Sequence, residues 1–310
     1  MLPYYGKFPI WMDAFLRSCE CNPHVTWLIF SDIKTSDYRP GNVQFIDLKK
    51  ADLSALIFHK TNIRHTLEDP HKLCDFKPLY GHIFEDYLRE YEYWGHCDMD
   101  VIWGDLFSFL NAITFQHFDL VSTRPNAISG HFTIYKNTQS LNLFYRKVPN
   151  YLKAFNKPHY QGFDEGYFSY HLFNEVANAN LNIKPYWEAR NCIDRAELLR
   201  MPNGWYWKNG VIKNNWGQQG NYLHLIDWKK TLEVIELSNV EALQSFKITH
   251  LGIWSKKIPW YYQKRMLLRT GASHKWKFFK VRIKEFIKYK VMNMKRKHQA
   301  NVPLGYRIMK

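Results

Sequence analysis

The sequence predicts an α/β protein, a three-layer α/β/α sandwich around a largely parallel sheet. Strand and helix patterns alternate through the first half of the chain. Apolar residues make up 46% of 310 residues, enough for a substantial core. Asp98 and Asp100 directly follow an apolar run, and ligands of α/β proteins gather beyond the carboxyl ends of strands.

The first half of the chain contains these elements in order. Met1–Tyr5, before Gly6, is expected to be either a short first strand or the end of a strand that starts further upstream. Apolar and β-branched runs predict further strands, and spacing of three and four residues predicts helices. Pro78 fits the first turn of a helix that runs to about Tyr91. The remaining predictions are helices at Pro9–Cys21, Ala51–Thr66 and Ser140–Lys147, and strands at Val25–Phe30, Val43–Ile46, Tyr93–Cys97, Phe118–Ser122 and His131–Tyr135.

The second half has a looser pattern. Asp164–Asn174 has helical character, and Tyr222–Ile226 and Phe246–His250 are predicted strands. Trp205–Lys213 predicts a hairpin, because Asn209-Gly210 suits the positive φ angles of a tight turn.

The segment Cys97-Asp98-Met99-Asp100-Val101 carries the clearest chemical signal. In an extended chain, side chains two residues apart point to the same side, about 7 Å from each other. Both carboxylates can then reach one hard cation such as Mg²⁺ or Mn²⁺, which shares its coordination with substrate phosphates. An Asp-x-Asp pattern alone is weak, and its neighbours give it weight.

Those neighbours carry a family resemblance over roughly residues 1–250. The chain resembles bacterial proteins with a predicted GT-A glycosyltransferase fold, found among genes for surface polysaccharide and lipopolysaccharide assembly. The similar segments are Tyr4-Tyr5-Gly6-Lys7-Phe8-Pro9 with Trp11, Ser18-Cys19, Asn22-Pro23, Trp27 to Asp32, Lys72 to Gly81, Trp94 to Asp100, Gly130-His131-Phe132 and Tyr222-Leu223-His224.

The resemblance implies roles for the donor side. Asp98 and Asp100 match the metal-binding Asp-x-Asp pair that holds a nucleotide-sugar diphosphate through Mn²⁺ or Mg²⁺, and His224 matches a third ligand. A core histidine with a satisfied hydrogen bond is the alternative for His224. Further donor contacts are implied for Tyr5 and Gly6, at the end of the first strand, and for Asp75 and Lys77, before the Pro78 helix. For Asp75, a structural helix cap or salt bridge is an equal alternative.

The resemblance also implies an acceptor side. Asp164 and Glu165 open a helix at the position where inverting GT-A enzymes often keep the catalytic base, which takes a proton from the acceptor hydroxyl. Two first-turn acids that favour the helix dipole are the alternative. Gly130 and His131 are expected to line the acceptor cleft.

The positive charge of the chain is concentrated at its C-terminal end. Residues 256–310 hold 17 Lys or Arg and one acid, Glu285, whereas residues 1–255 hold 26 Lys or Arg against 27 acids. His274–Lys297 reads as a basic amphipathic helix, which suits an anionic membrane surface. A helix packed on the body and nucleic-acid binding are the alternatives, and nucleic acid is disfavoured because no binding motif accompanies the basic cluster. We therefore predict a catalytic domain at 1–250 and a basic tail at 251–310.

Five cysteines without a C-x-x-C pair argue against a disulfide framework and fit a reducing compartment. The sequence shows no signal peptide and no apolar run of membrane-spanning length, so we expect a cytoplasmic protein, peripheral on the inner face of the membrane. The expected function is transfer of a hexose or N-acetylhexosamine from a nucleotide-sugar, in the first place a UDP-sugar, to a surface glycan. A non-catalytic scaffold of the same fold and a metal-dependent phosphate-ester hydrolase are the alternatives.

Overall fold

The computed structural model describes residues 1–33, 37–108, 110, 112–187, 192–194, 198 and 204–269. The strands are β1 (Leu2–Pro3), β2 (Trp27–Ser31), β3 (Val43–Asp47), β4 (Tyr93–Cys97), β5 (Val101–Trp103), β6 (Leu120–Ser122), β7 (Phe132–Lys136), β8 (Pro185–Trp187), β9 (Cys192–Ile193), β10 (Trp205–Lys208), β11 (Val211–Asn214), β12 (Gln219–Gly220), β13 (Tyr222–His224), β14 (Val234–Glu236), β15 (Ser245–Ile248) and β16 (Gly252–Trp254). The α-helices are α1 (Met12–Glu20), α2 (Lys50–Thr61), α3 (Leu73–Phe76), α4 (Tyr80–Ile83), α5 (Glu85–Leu88), α6 (Ala112–His117), α7 (Gln139–Asn142), α8 (Tyr151–Phe155), α9 (Ser169–Ala177) and α10 (Trp260–Arg269). The prediction of a mixed α/β protein is thereby confirmed.

The N-terminal sheet is parallel, in the order β1-β2-β3. Its central strand, β2, is buried along its whole length, as its apolar sequence predicts. The Met1 ammonium donates a hydrogen bond to the Gly95 carbonyl at 2.7 Å, so the start of β1 lies beside β4. The start of β1 and the middle of β4 are therefore neighbours in the fold.

Beyond β3 the expectation of a largely parallel sheet is wrong. A second sheet has the order β4-β7-β6-β8, with β7 antiparallel to both β4 and β6. A third has the order β5-β13-β9, with β13 antiparallel to β5. The nine residues between Ser122 and Phe132 are too few for the crossover of a dozen or more residues that a parallel connection needs, so β6 and β7 run in opposite directions.

The helix predicted from Pro78 to Tyr91 is broken into short turns. Lys77–Leu79 forms a 3-10 turn, followed by α4 and then α5. A methyl group at Gly81 would lie 2.4 Å from the Asn142 Oδ1 atom and 2.6 Å from the Trp94 ring, so this turn is fitted closely to β4 and α7. Close packing, rather than helix propensity, shapes the segment.

The C-terminal sheet has the order β12-β11-β10-β15-β16-β14. The predicted hairpin is confirmed: β10 and β11 pair around Asn209 and Gly210, whose φ angles are 44° and 83°. The sheet runs through β16, and α10 follows, so the described body continues beyond residue 250. The predicted amphipathic helix at 274–297 lies outside the described residues. No helix among the described residues is long and apolar enough to cross a membrane.

Candidate metal centre and neighbouring acid pair

The turn between β4 and β5 carries the two predicted carboxylates. The Asp98 amide donates to the His131 carbonyl at 3.1 Å, and the Trp11 indole donates to the Met99 carbonyl at 2.9 Å, which fixes the turn. Strand β13 pairs with β5 so that His224 lies opposite Val101, and the Leu225 amide donates to the Asp100 carbonyl at 2.7 Å. The cross-strand register thus brings a residue distant in sequence to the Asp-x-Asp turn.

The structure brings the three predicted metal ligands together. Asp98, Asp100 and His224 each offer one ligand atom, and these atoms lie within 4.8 Å of one another. Two carboxylates and one imidazole suit Mn²⁺, and the carboxylates also suit Mg²⁺. Asp194 Oδ1 lies 3.4 Å from His224 Nδ1, on the ring nitrogen remote from Asp100. A carboxylate behind a histidine commonly orients a metal-binding imidazole, so the donor set fits a divalent cation.

Asp100 is buried among cationic groups. Its Oδ2 atom lies 3.5 Å from His224 Nε2 and 2.7 Å from the Lys229 ammonium. Burial opposes ionisation of this carboxyl, but the hydrogen bond from His224 and the charges of His224 and Lys229 outweigh it and lower the pKa of Asp100. Burial likewise disfavours the imidazolium of His224, yet Asp100 and Asp194 raise the pKa of His224 to about 9. Asp100 and His224 are therefore both charged and lie close together.

Lys77 is the counter-charge of Asp98. Its buried ammonium forms a short ion pair with Asp98 Oδ1 and donates to the Gly130 carbonyl at 2.7 Å. Burial lowers the pKa of this ammonium, but Asp98 and other neighbouring acids more than compensate and raise the pKa well above its usual value. Each carboxylate of the Asp-x-Asp turn thus has its own lysine, Lys77 for Asp98 and Lys229 for Asp100.

The predicted acid pair lies on the other side of Gly130. Asp164 and Glu165 belong to a π-helical turn, Phe163–Phe168, a form that often occurs at functional sites. The Gly130 amide donates to Glu165 Oε1 at 2.8 Å, and Arg124 forms an ion pair with the same oxygen at 2.9 Å. Asp164 is only 1% exposed and accepts a hydrogen bond from the Tyr160 hydroxyl at 2.9 Å. Burial, opposed by the charge of Lys77, raises the pKa of Asp164 to about 6.

Gly130 contacts the acid pair, and its neighbour His131 contacts the metal centre. Gly130 is buried, and a methyl group there would lie 3.1 Å from both Asp164 Oδ2 and Glu165 Oε1. His131 is 4% exposed, stacks on His224 with ring centroids 4.3 Å apart, and is hydrogen-bonded to Tyr222 at 2.8 Å. Burial and the neighbouring His224 lower the pKa of His131 well below its usual value. His131 thus packs against the His224 ring, and its place in an acceptor cleft stays a prediction.

The remaining predicted donor residues have different surroundings. Gly6 has a φ of 107°, and a methyl group there would meet no atom within 4 Å, so open space adjoins this backbone. Tyr5 is buried, with its hydroxyl on the Leu48 carbonyl at 2.9 Å. Asp75 is fully buried, and its oxygens accept from Lys72, Gln161 and Phe163 at 2.7–2.9 Å. The salt-bridge alternative accounts for these Asp75 contacts, which tie the loop before the acid pair to α3.

Sequence reasoning missed four polar partners of the centre: Lys229, Asp194, Arg124 and Tyr160. Lys229 follows the His224 strand closely, but its partner Asp100 lies 129 residues earlier in the chain. Asp194 and Arg124 reach the centre through strand order, which local sequence patterns do not reveal.

Comparison with known proteins gives one family. A search of the curated proteins finds no match to this chain. A family described as of unknown function, DUF6625, matches residues 1–257, most of the chain. The matched range includes the three candidate ligands, the two lysines and the acid pair. The chain therefore belongs to the DUF6625 family, whose function is unknown.

Proposed function

We propose that this protein is a metal-dependent glycosyltransferase with a GT-A fold. It would transfer a hexose or N-acetylhexosamine from a nucleotide-sugar to a bacterial surface glycan, and a UDP-sugar is the favoured donor. The observation that carries the proposal is the cluster of Asp98, Asp100 and His224 beside two lysines. Three ligand atoms with adjacent ammonium groups suit a cation that shares a diphosphate with the protein.

The donor side follows from these charges. Asp98, Asp100 and His224 would hold Mn²⁺ or Mg²⁺, which supplies charge neutralisation to the departing nucleoside diphosphate. Lys229 is the more accessible lysine, with its side chain 42% exposed against 6% for Lys77. Its ammonium can leave Asp100 for a phosphate oxygen once a cation neutralises that carboxylate. Lys77, held by the Gly130 carbonyl, keeps Asp98 in place.

The acid pair is the proposed acceptor side. Glu165 is the more exposed carboxylate, at 33% of its side chain, and is oriented by Arg124 and the Gly130 amide. Asp164, with a pKa of about 6, is ionised in most molecules at neutral pH and lies behind it. Either carboxylate can take the proton of an acceptor hydroxyl if the reaction inverts configuration. If configuration is retained, the pair orients the substrates.

Topology supports the GT-A proposal. The parallel β1-β2-β3 sheet adjoins β4 through Met1 and Gly95, and β7 lies antiparallel between β4 and β6. Tyr5 and Gly6 follow β1, and the Asp-x-Asp turn follows β4, so both end on neighbouring strands. This is the edge at which α/β proteins bind nucleotides. In the basic tail, the predicted amphipathic helix at 274–297 remains our proposed contact with an anionic membrane on the cytoplasmic face.

Phosphate-ester hydrolysis is less well supported. A hydrolase with these carboxylates would need further acidic or histidine ligands, and Asp105 is the next acid along the chain. Asp105 Oδ1 instead accepts from the Phe107 and Ser108 amides at 2.9 and 3.2 Å, which caps a local turn. Among the described residues, the cluster contains Asp98, Asp100 and His224 alone. The compact ligand set beside two lysines favours an enzyme over a non-catalytic scaffold.

The test is a panel of nucleotide-sugars with Mn²⁺, scored by thermal protection and by release of nucleoside diphosphate. We expect protection by one nucleotide-sugar, and loss of that protection in Asp100→Asn. The matched control is Asp52→Asn, which removes an exposed carboxylate from the first turn of α2. Turnover of simple phosphomonoesters would establish the hydrolase instead. Protection without turnover of any donor and acceptor pair would favour the scaffold.

A further inference from the structure

A basic cleft lies between the C-terminal sheet and the segment that leads into α10. Its volume is about 670 Å³. Among the residues that the structure describes, the lining includes five lysines and no Asp or Glu: Lys208, Lys213, Lys247, Lys256 and Lys257. None of the metal-centre residues lines it. The cleft is therefore a separate concave surface with one sign of charge.

Strand register explains how the lysines come together. On β10, Trp205 and Trp207 are buried, and the Trp207 indole donates to the Trp103 carbonyl at 2.8 Å, so Tyr206 and Lys208 face the other way. Tyr206 lies opposite Lys213 on β11 and opposite Lys247 on β15. One row across three strands thus reads lysine, tyrosine, lysine. The two lysine Cα positions are about 10 Å apart, because two strand spacings separate them.

This row is unusual for a structural surface. Side chains directly opposite each other on a sheet interact, and gathered like charges are unfavourable without a counter-charge. The Lys247 ammonium lies 5.3 Å from the centre of the Tyr206 ring, a cation–π contact that keeps both side chains on the cleft wall. Trp254, which lies opposite Lys247 on β16, and Met266 form an apolar floor. Cationic walls over an aromatic and apolar floor suit a ligand with negative charges and apolar ring faces.

We propose that this cleft binds an anionic segment of a glycan, made of sugar units that carry carboxylate or phosphate groups. The Tyr206 ring would stack on a sugar face, and Lys213 and Lys247 would bind the acidic groups on either side. The proposal rests on the proposed function, because it assigns the cleft to the glycan acceptor outside the reacting residues. A bilayer fits less well, since a flat surface reaches projecting side chains rather than a concave floor.

The experiment measures binding of tetragalacturonate by calorimetry, without Mn²⁺ and without nucleotide-sugar. Maltotetraose serves as the neutral sugar, a single-stranded oligonucleotide as a different anionic polymer, and phosphatidylglycerol vesicles as the membrane. We expect tetragalacturonate to bind and maltotetraose not to bind. The double variant Lys213→Gln/Lys247→Gln should weaken binding about tenfold or more, as expected for lost charge-assisted hydrogen bonds.

Two controls make the result specific. Lys153→Gln/Lys157→Gln removes the same charge from exposed lysines outside the cleft and should leave binding unchanged. Tyr206→Ala should also weaken tetragalacturonate binding, while Tyr206→Phe, which keeps the ring, should not. Equal loss in both lysine double variants would overturn the proposal, as would absence of binding. Binding of vesicles or oligonucleotide through Lys213 and Lys247 in preference to tetragalacturonate would also overturn it.

Failure of the proposed function would give a different pattern. Asp100→Asn should abolish protection by nucleotide-sugar yet leave tetragalacturonate binding intact. If no nucleotide-sugar binds but the cleft still discriminates the acidic tetrasaccharide, the protein is a glycan-binding protein and the transferase assignment fails. If nucleotide-sugar binds and tetragalacturonate does not, the cleft proposal alone fails.

Discussion

Two Asp–Lys ion pairs, whose lysines are five residues apart in the sequence, differ in their surroundings. Lys72 and Asp75 form an ion pair at 2.8 Å, and both side chains are 0% exposed. Lys77 and Asp98 form the second pair, with Lys77 6% and Asp98 33% exposed. The Asp75 oxygens are saturated by backbone amides, whereas Asp98 faces Asp100 and His224. An Asp–Lys pair thus has a structural role where the carboxylate oxygens are fully hydrogen-bonded, as in Asp75. It is available for ligands where the carboxylate stays accessible, as in Asp98.

Removal of Asp75 should give the largest effect. Asp75→Ala leaves a buried ammonium and the amides of Gln161 and Phe163 without their acceptor. We expect a loss of about 3–5 kcal/mol in the free energy of unfolding, as for other broken buried pairs. Chemical denaturation measures it. Asp86→Ala, which breaks solvent-screened pairs with Lys60 and Arg89, should cost far less. Similar losses in the two variants would contradict the structural role of Asp75.

Asp98→Asn should have the opposite profile. The variant keeps the shape of the turn but loses an anionic ligand, so we expect turnover to fall about a hundredfold or more. The free energy of unfolding should change less than in Asp75→Ala, because Asp98 is partly solvated. Steady-state kinetics and denaturation on the same samples separate the two quantities. If Asp98→Asn lowered the free energy of unfolding as much as Asp75→Ala, the contrast between a structural pair and a ligand-binding pair would be refuted.

Lys229→Met tests whether the lysine moves between carboxylate and phosphate. Without this ammonium, Asp100 is a freer ligand, so Mn²⁺ alone should bind more tightly. Nucleoside diphosphate in the presence of Mn²⁺ should bind about tenfold more weakly, since one charge-assisted hydrogen bond is lost. Titration calorimetry measures both affinities. Lys230→Met, a change in the adjacent exposed lysine, should leave them unaltered. Changes of the same sign would show that Lys229 does not exchange partners.

The smallest expected effect is on the pH profile. Asp164 has a pKa raised to about 6, so ionised Asp164 is lost as the pH falls through that value. If the ionised form is needed, turnover should be about twofold lower at pH 6 than at pH 7.5. Because the folded-state pKa is raised, the contribution of Asp164 to stability is present below about pH 4 and declines as the pH rises through 6. Asp164→Asn should flatten both profiles, and an unchanged acidic limb would exclude Asp164 as its source.

Local chemistry explains which predictions succeeded. Asn209-Gly210 makes its hairpin wherever the flanking strands pair, because the turn depends on backbone conformation alone. The Asp-x-Asp turn is likewise contiguous in sequence. His224 was predicted from a family resemblance, and its position depends on the antiparallel pairing of β13 with β5.

Long-range contacts explain what the sequence could not reveal. The sequence allows a donor contact and a salt bridge equally for Asp75, because its amide partners lie 86 and 88 residues away. The pairing of Lys229 with Asp100 spans 129 residues. Such contacts follow from how the sheets assemble, and the spacing of apolar residues along the chain does not predict them. The broken helix after Pro78 has the same origin, because the fit of Gly81 against Trp94 and Asn142 is tertiary.

Gly130 has one consequence for the order of events. Its carbonyl accepts from Lys77 on the metal side, and its amide donates to Glu165 on the acid side. Any rearrangement of Lys77 by an incoming diphosphate therefore strains or releases the residue that orients Glu165. In the proposed transferase, the acceptor would then meet a differently oriented Glu165 once the donor has arrived. A compulsory binding sequence, visible in product-inhibition patterns, is what this single shared residue leads us to expect.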